Sequence, residues 1–118
     1  MAGKLSTHVL DTRIGKPGAG VSIKLYALAD GVRTFIKTTQ TNSDGRTDEP
    51  LLLGDALKTG VYELDFYAGD YYRAQGVELP SPAFVDVVTL RFGVADASAN
   101  YHVPLVCTPW SYSTYRGS

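Results

Sequence analysis

The sequence predicts an all-β protein, an antiparallel β-sandwich with one short helix. Tyr, Val and Thr are plentiful, and Gly and Pro cut the chain into short runs, the punctuation expected of strands joined by turns. Within several runs apolar and polar residues alternate, the period of a pleated strand with one buried face. About seven or eight such runs, interrupted by one helical stretch, suit two packed β-layers.

The elements follow in order. Residues 5–12 alternate weakly, with Leu5, Thr7 and Val9 on one face and Ser6, His8 and Leu10 on the other. Gly15-Lys16-Pro17-Gly18-Ala19-Gly20 is a loop. Val21, Ile23, Leu25 and Ala27 then point one way along a strand, opposed by Ser22, Lys24 and Tyr26. Ala29-Asp30-Gly31 turns the chain into a Thr-rich strand over 33–41, and Ser43-Asp44-Gly45 turns it again. Residues 46–53 contain Pro50 and suit only a short edge strand. Tyr62, Leu64 and Phe66 alternate with Glu63, Asp65 and Tyr67 in the next strand. Residues 70–75 offer one or two helical turns between Gly69 and the stop at Gly76. After the rigid Pro80-Ser81-Pro82, strands are predicted over 84–92, 100–107 and 110–116.

A chain of 118 residues suits one domain, residues 1–118. It is 44% hydrophobic and 19% charged, with a net charge of −1. That balance does not invite nucleic acid or an anionic membrane, and no apolar run approaches the ~20 residues that span a bilayer. The first residues lack the apolar stretch of a secretory signal, so a cytoplasmic protein is expected. Cys107 is the single cysteine, which excludes an intrachain disulfide and a multi-cysteine metal site. With no His-x3-His or Cys-x2-Cys pair, a dedicated zinc site is not expected. There is no Gly-x-Ser-x-Gly elbow and no phosphate-binding Gly-rich loop.

His8 and His102 are the only histidines, and imidazole is the side chain that titrates near neutrality. A lone strand histidine is most often a surface or satisfied residue. Here the pleat puts His8 with Ser6, His102 opposite the apolar Tyr101, Val103, Leu105 and Cys107, and Ser111, Ser113 and Tyr115 on one face of the last strand. Arg46 follows the Asp44-Gly45 turn. It reads either as a surface arginine paired with Asp44, Asp48 or Glu49 or as a clamp for an anion or oxyanion.

Three separated blocks then carry a family resemblance. They are Leu5-Ser6-Thr7-His8-Val9-Leu10-Asp11 with the following Gly15-Lys16-Pro17-Gly18, then Thr41-Asn42-Ser43-Asp44-Gly45-Arg46, and the ending from Tyr101-His102-Val103-Pro104 to Tyr115-Arg116-Gly117-Ser118. The chain resembles the 5-hydroxyisourate hydrolases, transthyretin-like enzymes of urate breakdown. The resemblance implies a sandwich of two four-stranded sheets and a homotetramer built as a dimer of dimers, with sites in clefts between subunits. It implies catalytic roles for His8, Arg46 and His102, and substrate binding by His8, Arg46 and Tyr115. Support would come from Ser113, Arg116 and Ser118, and at a further remove from Ser111 and Thr108. The implied reaction is hydrolysis of 5-hydroxyisourate to 2-oxo-4-hydroxy-4-carboxy-5-ureidoimidazoline, needing no metal, nucleotide or covalent intermediate. The alternative is a transthyretin-like carrier that binds a small molecule without turnover; a plain adhesion or assembly module would need no shared polar face.

Overall fold

The computed structural model describes residues 3–118. In chain order the strands are β1 (Lys4–Ser6), β2 (Val9–Asp11), β3 (Lys16–Pro17), β4 (Ser22–Ala29), β5 (Val32–Gln40), β6 (Leu52–Leu53), β7 (Gly60–Tyr67), β8 (Val87–Val94), β9 (Tyr101–His102), β10 (Leu105–Cys107) and β11 (Tyr112–Ser113). One short helix, α1 (Ala68–Ala74), and a 3-10 turn over Gly54–Ala56 complete the described elements. No helix among the described residues is long and apolar enough to cross a membrane.

One layer is an antiparallel sheet in the order β5-β4-β7-β8. Its inward residues are those the alternation predicts: Ile23, Leu25, Leu64 and Phe66 are fully buried. They meet Leu5, Val9 and Leu105 from the other layer in a single hydrophobic cluster. Glu63 and Asp65, on the opposite face of β7, are also buried. Arg33, Arg91 and Thr89 cover them with charge-assisted hydrogen bonds, which is how a carboxylate tolerates burial.

The other layer consists of two small sheets, β6-β1-β9 and β11-β10-β2-β3. They run into one another: β1 continues to β2 through Thr7-His8, and β9 to β10 through Val103-Pro104. Pro104 has no amide hydrogen to give. The break is bridged by Val103 N–H to the Ser6 carbonyl (2.9 Å), Leu105 N–H to the His8 carbonyl (2.8 Å) and the Thr7 hydroxyl to the Val103 carbonyl (2.7 Å). Isolated bridges pair His8 with Arg46 and His102 with Gly117. Across this layer the chain therefore runs 46–53, 4–11, 101–107, 112–117.

Two features depart from the predicted pattern. The pairs β1–β9 and β2–β10 are parallel; these strands lie at opposite ends of the sequence, so no hairpin turn forces them antiparallel. The last strand is also shorter than predicted. The Thr108 hydroxyl accepts the amides of Trp110 and Ser111 at 3.0 Å and ties residues 108–111 into a turn. Beyond Ser113 the chain leaves the ladder until Gly117, while the Arg116 guanidinium lies 4.5 Å over the Tyr101 ring and donates to the Asn100 carbonyl at 3.1 Å.

Helix α1 is fastened by polar contacts beneath it. The buried Asp11 carboxylate accepts the hydroxyls of Tyr71 (2.8 Å) and Tyr72 (3.3 Å), and Tyr72 also reaches the Cys107 thiol at 3.4 Å. Burial, with these partners, pushes both phenols well above their ordinary range.

Candidate active site

The segment 41–46 folds as a tight turn because the Asn42 side chain replaces backbone partners. Its Oδ1 accepts the amides of Asp44 (2.9 Å) and Arg46 (3.2 Å). Gly45 follows at φ +75°, where a β-carbon is strained. A side chain there would also collide with the Val9 carbonyl oxygen and press to 3.2 Å from His8 Cδ2. Glycine thus lets the turn close against the first strand, where the Val9 amide donates to the Gly45 carbonyl at 2.7 Å.

That closure sets His8. Its Nε2 lies 2.8 Å from the Asp44 carbonyl oxygen. A carbonyl can only accept, so Nε2 carries a hydrogen, and the lone pair of neutral His8 resides on Nδ1. Arg46 is the cross-strand partner of His8, so the two side chains share a face. Arg46 is exposed and makes no ion pair with any described residue, despite Asp44, Asp48 and Glu49 nearby in sequence.

His102 sits in the middle of the layer. Its strand partner on one side is Ser6, whose Oγ lies 2.9 Å from Nδ1. On the other side Gly117 exchanges two backbone hydrogen bonds with it, at 3.2 and 2.7 Å. A β-carbon on Gly117 would stand 3.0 Å from His102 Cβ and 3.1 Å from Cδ2, so bare backbone lies against the ring. Partial burial, reinforced by the nearby basic groups Arg46, His8 and Lys4, pulls the imidazole below its ordinary value of 6.5. Near pH 7 His102 is therefore a neutral base.

The remaining predicted residues are placed nearby but differently. Lys4, Ser6, Thr7 and Arg46 line a shallow cavity of about 210 Å³ with the 47–50 segment. Tyr115 and Arg116 line a separate groove of about 410 Å³ against the edge strand β8, between Thr89 and Gly93. Ser113 pairs with Val106 and is exposed, as is Ser118, and Ser111 and Thr108 bond each other at 3.1 Å in their turn. The fold thus brings His8, Arg46 and His102 into one row with Ser6 and Gly117, and sets Tyr115 apart from them, in a groove that none of those three histidine and arginine side chains lines. Among the described residues no three His, Cys, Asp or Glu side chains gather as a metal-ligand set. Sequence reasoning missed the Asp44 carbonyl and the part of Ser6. Ser6 did share the period-two face of His8, but its register with His102 lies beyond any local pattern.

Comparison with known proteins now decides the family. The family model described as HIUase/Transthyretin matches residues 5–117. The chain belongs to this family. A 5-hydroxyisourate hydrolase of Ralstonia nicotianae is 65% identical over 116 residues, covering 98% of this chain and 99% of that protein. The crystal structure of (S)-allantoin synthase matches 98% of this chain at 39% identity with a TM-score of 0.93; this chain spans 44% of that longer one. Sea bream transthyretin in complex with thyroxine matches with a TM-score of 0.85 at 28% identity, covering 97% of this chain and 94% of the other. The fold is accordingly transthyretin-like. Because this HIUase/transthyretin fold serves both enzymes and a thyroxine-bound protein, activity has to be argued from the site.

Proposed function

We propose that this chain is a 5-hydroxyisourate hydrolase, a cyclic amide hydrolase, carried by one domain over residues 1–118. The observation behind the reading is the row Arg46–His8–His102 on adjacent strands, with a neutral imidazole at one end and an unpaired guanidinium at the other. The 65% identity to a named hydrolase, set against 28% to a transthyretin, supports turnover over simple carriage.

The chemistry asks little beyond positioning. Water must lose a proton as its oxygen bonds to a ring carbonyl carbon. His102 takes that proton, and His8 orients the water or relays the proton through its free Nδ1. The carbonyl oxygen becomes an oxyanion, which the Arg46 guanidinium stabilises by charge and planar hydrogen bonding. The ring C–N bond then breaks, the proton passes to the departing nitrogen, and a carboxylate and a ureido group remain.

In this reading the enzyme works as a homotetramer, a dimer of dimers. Arg46 is solvent-exposed in the single chain, and a facing copy would close the site against water. Tyr115, with Arg116, Ser118 and Ser113, then shapes the pocket wall. The deciding experiment generates 5-hydroxyisourate with urate oxidase and follows its ultraviolet absorbance. Decay faster than the spontaneous rate on adding the protein is expected; binding at the spontaneous rate would make it a carrier. Sedimentation showing a fully active monomer would remove the tetramer.

A further inference from the structure

We infer that Ser6 is a positioning residue for His102: its hydroxyl receives the Nδ1 hydrogen and leaves Nε2 as the nitrogen offered to water. The inference rests on the hydrolase reading above and deepens it. Ser6 stands on a strand paired on both sides, with β6 through Leu5–Leu52 and with β9 through Ser6–His102 itself. Its backbone is fixed further by the Val103 amide on the Ser6 carbonyl at 2.9 Å. A short polar side chain on so rigid a support holds its oxygen in one place.

That oxygen lies 2.9 Å from His102 Nδ1. The opposite flank of the histidine is closed by the Gly117 backbone, so the ring is gripped from both neighbouring strands. A serine hydroxyl can donate or accept, so the contact alone admits either tautomer; the role of base selects the one with hydrogen on Nδ1, because only that one leaves Nε2 a lone pair for water. His8 is tied the other way round, by Nε2 to the Asp44 carbonyl. The two imidazoles thus present different nitrogens, Nε2 from His102 and Nδ1 from His8. When Nε2 accepts the water proton, the Nδ1–H···Oγ hydrogen bond gains a charged donor and strengthens. This offsets part of the repulsion from the basic groups around His102, namely Arg46, His8 and Lys4. The serine itself gains and loses no proton.

The test pairs Ser6→Ala with Ser6→Thr and reads kinetics and nitrogen-15 NMR of the ring. In the wild-type protein at pH 7.5, Nδ1 of His102 is expected to be protonated and Nε2 bare. Ser6→Ala should shift the ring to a mixture of tautomers and lower kcat roughly 10-fold, part of what a general base supplies, with KM changed less than about 2-fold. Ser6→Thr, which keeps the hydroxyl, should restore both readouts. A wild-type ring protonated on Nε2 overturns the inference without any variant, and so does Ser6→Ala turning over at the wild-type rate. If the wild-type protein fails to hydrolyse 5-hydroxyisourate, the functional reading falls, while the NMR arm still judges the Ser6–His102 bond.

Discussion

On the outer face of the sheet β5-β4-β7-β8, Glu63 and Asp65 sit among cations that neutralise them, whereas in the other layer the basic side chains of His8, His102 and Arg46 share a face and make no ion pair among the described residues. Arg33 bridges both carboxylates at 3.1 and 2.7 Å, Arg91 holds Glu63 at 2.9 Å, and the Thr89 hydroxyl donates to Asp65 at 2.7 Å. Both buried carboxylates there are answered by partners within the chain. In the histidine row, burial and the basic neighbours of His102 push its proton off. In the proposed reaction, the oxyanion developing at a carbonyl would supply the negative charge that such a row lacks. Paired charges hold the β5-β4-β7-β8 sheet together; the unpaired basic row is the face to which the proposed function assigns the chemistry.

The sharpest way to break this contrast is to remove one group from each side. His102→Ala and Arg46→Ala should each lower kcat/KM at least ~100-fold, the usual worth of a general base or an oxyanion group, with the circular dichroism spectrum unchanged. Arg33→Ala should do the opposite, keeping kcat while lowering the melting temperature by roughly 4 °C or more. Rates near wild-type in either site variant, or a large kcat loss in Arg33→Ala, would erase the distinction. A milder test thickens the backbone against the base. Gly117→Ala should displace the His102 ring and cost roughly 10-fold in kcat, since small misplacements of reacting groups are expensive.

A titration sharpens the comparison further. The folded value of His102 lies below its unfolded value of 6.5, so the unfolded chain binds the proton more readily. The neutral ring contributes stability above pH 6.5, and that contribution is lost as pH falls through the lower folded value. NMR should therefore place the His102 midpoint below 6.5, and kcat/KM should fall as pH drops through it. Arg46→Ala removes one repelling charge and should move the midpoint upward, toward 6.5; a downward move would contradict the assignment. The smallest effect is expected at Tyr71→Phe, which removes one hydrogen bond to Asp11: about 1 kcal/mol of stability in urea unfolding, and unchanged kcat.

Alternation revealed which faces of β4 and β7 turn inward, because burial on one side of a pleat writes itself into every second residue. It did not reveal that Glu63 and Asp65 are buried too, since their cover comes from Arg33 and Arg91 on other strands. The polar faces of His8 and His102 could be read from the same pattern; Arg46 stood out after its turn as either a surface arginine or a clamp, and the resemblance favoured the clamp. The hydrogen bonds that hold the two imidazoles could not be read. One ends on a backbone oxygen, at Asp44, and the other depends on a parallel register between the two ends of the chain. Tyr115 was assigned to a face by continuing a strand that stops at Ser113, because the grip of Arg116 on Tyr101 is a contact no local period encodes.

Ser6 meets His102 across 96 positions of sequence. Closing so long a loop costs entropy before any contact rewards it, so this junction is among the last that a folding chain can complete. Partly folded chains would hold their hydrophobic alternation and some hairpins, yet no competent pair of imidazoles. Catalysis in such a molecule doubles as a readout of complete folding, and in a denaturant series the active fraction should track the fully native fraction with no active intermediate.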